Sequence, residues 1–106
     1  MATIDITNQS FAQTLEDNEI VFVDFWAAWC GPCRMAAPEV ERTAKNVAGR
    51  ALVLKVDTDA HPALAERYGV QGIPNFVVLK GGRVVSQQAG FVPHTRMEEW
   101  IRSAAG

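Results

Sequence analysis

Between residues 20 and 27 the chain reads Ile-Val-Phe-Val-Asp-Phe-Trp-Ala, and between 51 and 57 it reads Ala-Leu-Val-Leu-Lys-Val-Asp. Neither run alternates apolar with polar positions, so neither predicts a strand with one wet face. The first predicts a central, parallel strand covered on both sides, and the second another buried strand. A weaker strand is expected at 3–6. From Asn8 to Asp17 the pattern is helical: Phe11 and Leu15 fall four apart on one face, with Thr7 or Asn8 as N-cap. Residues 32–47 predict a long helix. Pro38 inside it is expected to kink it, because proline loses the hydrogen bond to the Arg34 carbonyl and clashes with that group.

Residues 62–68 predict a short helix that ends at Gly69. Strands at 75–80 and 83–88 flank Gly81-Gly82, a two-residue hairpin signal. Residues 95–104 close the chain as a helix. Met97, Trp100 and Ile101 form its apolar face, and Thr95 and Glu98 have the spacing of a capping box. The order is βαβαβαββα. Strands separated by helices pair in parallel, and the terminal hairpin adds antiparallel strands. The expected class is α/β: a mixed sheet with helices for both faces and right-handed crossovers.

With 106 residues, the chain from 1 to 106 is expected to be a single domain with a core that needs no staples. A hydrophobic content of 48% fits a soluble globular protein. Net charge is -2, and Lys and Arg are scattered. With no basic block, neither nucleic acid nor an anionic membrane is an expected partner. Residues 1–7 lack a positive region followed by an apolar one. No apolar run approaches the roughly 20 residues of a membrane span. The expected compartment is the cytoplasm, where thiols stay reduced.

The chemistry concentrates in Trp29-Cys30-Gly31-Pro32-Cys33, which holds the only two cysteines at the junction between a buried strand and a helix. A disulfide is broken by a thiolate, and a helix N-terminus favours negative charge. Cys30 is therefore the expected attacking sulfur. Cys33, about one turn further in, is expected to be more buried and to resolve the mixed disulfide. Pro32 suits an early helical position, and Gly31 lets a partner backbone approach. The alternatives are half a zinc site and a structural disulfide. The only histidines, His61 and His94, show no ligand spacing.

Asp24 and Lys55 each interrupt a buried strand. If those strands are neighbours, Lys55 would sit close enough to keep Asp24 partly charged, and Asp24 could take the proton of Cys33. The alternative is a buried, hydrogen-bonded Asp and a Lys that reaches out to water. Trp29 is either a wall of a binding surface or a core or half-exposed tryptophan. Trp26 and Trp100 read as core. Ile73-Pro74, after Gly72, marks a tight turn with a possible cis bond. Asp57, Thr58 and Asp59 are expected to supply a turn and a helix N-cap.

Together, the residues from Asp24 to Met35, Pro38, Lys55 to Asp57, Tyr68-Gly69-Val70, Gly72-Ile73-Pro74 and Gly90 resemble the thioredoxin family over essentially the whole chain. The resemblance implies a five-stranded central sheet flanked by four helices, with strand order 1-3-2-4-5. It implies Cys30 as nucleophile, Cys33 as resolving cysteine, and Asp24 as a buried acid/base with Lys55 beside it. It implies a cis Ile73-Pro74 bond facing the disulfide. Trp29, Ile73, Pro74 and Gly90 would line a groove for a substrate's extended chain, with Gly31 and Pro32 beside the nucleophile. The implied activity is reduction of protein disulfides. A thioredoxin reductase would recycle the chain with NADPH, no cofactor would bind the chain itself, and the default state is a monomer. Asn75, Phe91 and Pro93 depart from the family's usual residues. A small shift in potential or substrate preference is expected from Asn75. Two other readings compete: an oxidant or isomerase outside the cytoplasm, and a binding module within a larger assembly. The Gly-Pro pair between the cysteines favours the reducing type.

Overall fold

The computed structural model describes residues 3–5 and 8–106. The elements in order are β1 (Ile4–Asp5), α1 (Asn8–Asp17), β2 (Ile20–Trp26), α2 (Gly31–Asn46), β3 (Leu52–Asp57), α3 (Pro62–Arg67), β4 (Asn75–Lys80), β5 (Arg83–Ala89) and α4 (His94–Ala105). The sheet runs β1-β3-β2-β4-β5. Its body is the four full strands β3-β2-β4-β5, and β1 extends the β3 edge by two residues.

β2 is central, as its apolar run predicts, but it is parallel only to β3. Its other neighbour, β4, runs antiparallel. A strand covered on both faces is equally apolar whichever way its neighbours run, so the pattern cannot carry direction. The lack of alternation has a simple cause in the packing. Ile20 and Phe22, with Val53, Phe76 and Val78, face Ala36, Val40 and Ala44 of α2 and Met97 and Ile101 of α4. Val21, Val23 and Phe25, with Leu54, Val56, Val77 and Leu79, face Phe11 of α1 and Leu64 and Ala65 of α3. Both faces of β2 are therefore core. Trp26 and Trp100, expected inside, are half-buried and pack against the core, Trp26 on the Ala27, Cys30 and Cys33 cluster and Trp100 on the α2/α4 side, with its ring 6.5 Å from that of Phe76.

Gly81 and Gly82 have φ of 57° and 80°, so both central residues of the hairpin take the left-handed conformation that favours glycine there. α2 continues through Pro38, which faces solvent. The proposed N-cap Thr7 lies outside the described residues. The Asp57–Asp59 segment makes the expected turn, since Asp57 Oδ1 accepts the Asp59 N–H at 2.9 Å. It does not cap α3, whose N-cap is His61 without a side-chain hydrogen bond.

The capping box at Thr95 and Glu98 is also not formed. α4 starts one residue earlier, at His94, behind Pro93, which offers no side-chain acceptor. The acceptor comes from another helix: Glu39 Oε1 on α2 takes the His94 N–H at 2.9 Å. Glu98 turns elsewhere, to Asn46 Nδ2 at 2.9 Å and His94 Nδ1 at 2.8 Å. Among the described residues, no helix is long and apolar enough to cross a membrane.

Candidate active site at the start of the second helix

β2 delivers the chain to a short loop, residues 27–29, and Cys30 closes it by donating its N–H to the Ala27 carbonyl at 3.2 Å. Cys30 is the N-cap of α2, with extended backbone (φ -87°, ψ 112°). Its Sγ accepts the Cys33 N–H at 3.1 Å, one of the amides that the first turn of a helix leaves without an internal partner. Cys30 and Cys33 are joined as a disulfide, with Cα atoms 5.2 Å apart. Gly31 and Pro32 form the first turn between them; Gly31 is half-buried and Pro32 exposed. The expected difference in burial is not found, since both cysteines are 4% exposed. The loop before β4 supplies the extra cover: the Ile73 carbonyl oxygen lies 3.6 Å from Cys30 Sγ.

Asp24 and Lys55 are directly paired across the parallel strands β2 and β3. By strand parity Asp24 points to the α2 side of the sheet, like Phe22. It is 1% exposed, and its Oδ1 has no hydrogen-bond partner among the described residues. Burial pushes its carboxyl up to about 7, while the Lys55 ammonium acts in the opposite sense. Asp24, Lys55, Trp26, Ala27, Cys33, Arg34 and Ala37 line one small cavity of about 90 Å³. Lys55 is half-buried, with Nζ 4.8 Å from the centroid of the Trp26 ring. Of the alternative reading, the burial of Asp24 holds, whereas its Oδ1 finds no protein partner among the described residues.

The Ile73-Pro74 bond is cis. Ile73 is half-buried and packs on the Cys30, Cys33 and Ala27 cluster; Pro74 is buried. Gly90, at φ 99°, donates its N–H to the Pro74 carbonyl at 2.8 Å, which brings the end of β5 beside that proline. Trp29 is 68% exposed, so the core reading of this residue is excluded. Phe91 is exposed as well.

Three contacts at the site have no local signature in sequence. Asp59 Oδ2 accepts the Trp29 indole N–H at 3.0 Å. Arg34 donates to the Ala28 carbonyl at 2.9 Å, across the loop that leads into Cys30. Gln87 Nε2 donates to Asn75 Oδ1 at 3.1 Å. Only the unusual Asn after Pro74 flags the last of these, and nothing in the chain points to its partner. Among the described residues, no group of three or more His, Cys, Asp and Glu could hold a metal ion.

The Thioredoxin family model matches residues 2–103. Thioredoxin 1 of Nostoc sp. is 42% identical over 101 residues, 94% of either chain. Thioredoxin 1 of Chlorobaculum tepidum is 44% identical over 100 residues, which are 90% of this chain and 99% of that one. Among solved structures, a mutant thioredoxin from Halobacterium salinarum superposes with a TM-score of 0.89 at 34% identity, covering 98% of this chain and 91% of the other. Chloroplastic thioredoxin z gives 0.88 at 30% identity, with 100% and 97% covered. With that agreement along nearly its whole length and its two cysteines paired at a helix N-terminus, the chain belongs to the thioredoxin family and is a protein thiol-disulfide oxidoreductase.

Proposed function

We propose that this chain is a reductase of protein disulfides, acting as a single domain over residues 1–106 with β1 as the fifth, edge strand of its sheet. The observation that carries the reading is the Cys33 N–H aimed at Cys30 Sγ from 3.1 Å, at the positive end of α2. A donor and a helix dipole directed at one sulfur favour its thiolate.

Cys30 thiolate attacks one sulfur of the substrate disulfide, and the other sulfur leaves as a thiolate. Cys33 then gives up its proton and attacks Cys30 Sγ, which breaks the mixed disulfide and releases the second substrate thiolate. The substrate gains two electrons and two protons, and the chain becomes the Cys30–Cys33 disulfide. Asp24 is the base for the Cys33 proton. It shares a cavity with Cys33 that has room for water to carry the proton, and a carboxyl near 7 can both take and return it at neutral pH. Lys55 keeps the ionised form of Asp24 accessible. Trp29, Gly31, Pro32, Ile73, Pro74 and Gly90 form the docking surface around Cys30.

Oxidised chain is returned to the dithiol by a thioredoxin reductase, with NADPH used by that enzyme and no cofactor held here. The compartment is the cytoplasm, the working state a monomer, and the partners are disulfide-containing proteins, with no role for nucleic acid or membrane.

The test is transfer from the pre-reduced chain to insulin disulfides with no reductase present. Rapid transfer is expected, with none from Cys30→Ser and accumulation of mixed disulfides with Cys33→Ser. Fully reduced, folded protein that leaves insulin untouched would reject the reductase reading.

A further inference from the structure

Asn75 and Gln87 are two amide side chains that the exchange steps do not use. Asn75 is 5% exposed and follows Pro74 directly. Its Nδ2 donates to the Gly72 carbonyl at 3.4 Å, and its Oδ1 accepts from Gln87 Nε2. The same Gln87 nitrogen donates to the Tyr68 carbonyl at 2.8 Å. One side chain on β5 therefore bridges the end of α3 to the first residue of β4. A second fastens the loop between them, residues 69–74. That loop carries Ile73, whose carbonyl faces Cys30 Sγ.

We propose that Gln87 is a positioning residue for the dithiol: through Asn75 and the Tyr68 carbonyl it holds the 69–74 loop so that the Ile73 carbonyl stays fixed against Cys30 Sγ. The inference rests on Cys30 being the attacking sulfur. The carbonyl lies 3.6 Å from Sγ in the disulfide, so reduction would give Cys30 an S–H with this acceptor within reach, and a partner for the S–H favours thiol over thiolate. The loop, Gly69-Val70-Gln71-Gly72-Ile73-Pro74, has no titratable side chain, so its hold on Cys30 acts through the carbonyl dipole. The charged groups around the dithiol sit on other segments. Asp24 on β2, Lys55 on β3 and Arg34 on α2 line the cavity with Cys33, and Asp59 is bonded to Trp29. A change at Gln87 leaves all of them in place. Gln87 is exposed on β5, so Gln87→Met keeps the length, removes both donated hydrogen bonds and opens no core cavity.

The experiment titrates Cys30 alone, as the pH dependence of its alkylation by iodoacetamide in a Cys33→Ser background. Gln87→Met is expected to lower the midpoint by about half a pH unit, the size of one weak S–H···O contact. In an Asn75→Thr background the same change is expected to shrink by at least about half, because two residues acting through one network are not additive. An unmoved midpoint, even with a lowered Tm, would make Gln87 a structural residue only and overturn the proposal. So would a full shift in both backgrounds. Insulin reduction is scored separately on the chain with both cysteines, so failure of the reductase reading and failure of this inference give different results.

Discussion

The chemistry proposed for Asp24 and the stability of the fold pull in opposite directions. Its ordinary value is 3.8, and burial lifts it to about 7 against the attraction of Lys55. Between those pH values the folded protein holds a proton that the unfolded chain releases. Stability contributed at this site therefore falls as pH rises through the window, and the deficit is complete above about 7. Asp24→Asn removes it. Urea unfolding at pH 4 is expected to show almost no gain, and at pH 8 a gain on the order of 4 kcal/mol. Equal gains at both pH values would mean that ionisation is not the cost. The role proposed for Asp24 as base for Cys33, with which it shares a cavity, would make use of the same shift that costs stability. Asp24 and Lys55 were legible in the sequence as charges inside apolar runs. Their adjacency was expected only on the condition that the two strands are neighbours, or from the family resemblance; the direct pairing is set by a register that belongs to two strands and not to either one.

At the scale of elements, α2 does two jobs from its two ends. Its first turn presents Cys30 and Cys33, and its middle supplies the carboxylate that starts α4. The Glu39 contact with the His94 N–H replaces the side-chain cap that Pro93 cannot offer. Thr43 on the same helix reaches the Met97 sulfur at 3.5 Å, so the two helices are joined by polar as well as apolar contacts. Glu39→Ala leaves an amide at the head of α4 without its acceptor. The expected cost is about 1 kcal/mol, read as a lower urea midpoint with unchanged slope. No change in midpoint would mean that water caps this amide equally well. A capping box read from Thr95 and Glu98 is a local rule. It failed because Glu98 found better partners in Asn46 and His94 and because the acceptor came from 55 residues away.

At the scale of the whole molecule, the two helical layers share one sheet, so neither can be lost alone. Phe22 is fully buried on the α2/α4 side and stacks on Phe76 at 5.7 Å; Phe25 is fully buried on the α1/α3 side. Truncating either to alanine is expected to cost about 3–5 kcal/mol, and each variant should unfold in a single transition by both fluorescence and far-UV dichroism. Two separated transitions would show that the faces fold independently. The sequence by itself determined the order and type of the elements, the covered central strands, the glycine hairpin and the dithiol at a strand-to-helix junction. These follow from periodicity, turn residues and spacing, all of which act over a few neighbours. Only the tertiary structure decided the direction in which β4 pairs with β2, the cavity that Asp24 shares with Cys33, the equal burial of the two cysteines and the hold of Gln87 on the Ile73 loop. Each of these depends on which distant side chain or backbone group arrives at a given point. That is fixed by packing two layers on one sheet, and no local stretch of the chain encodes it.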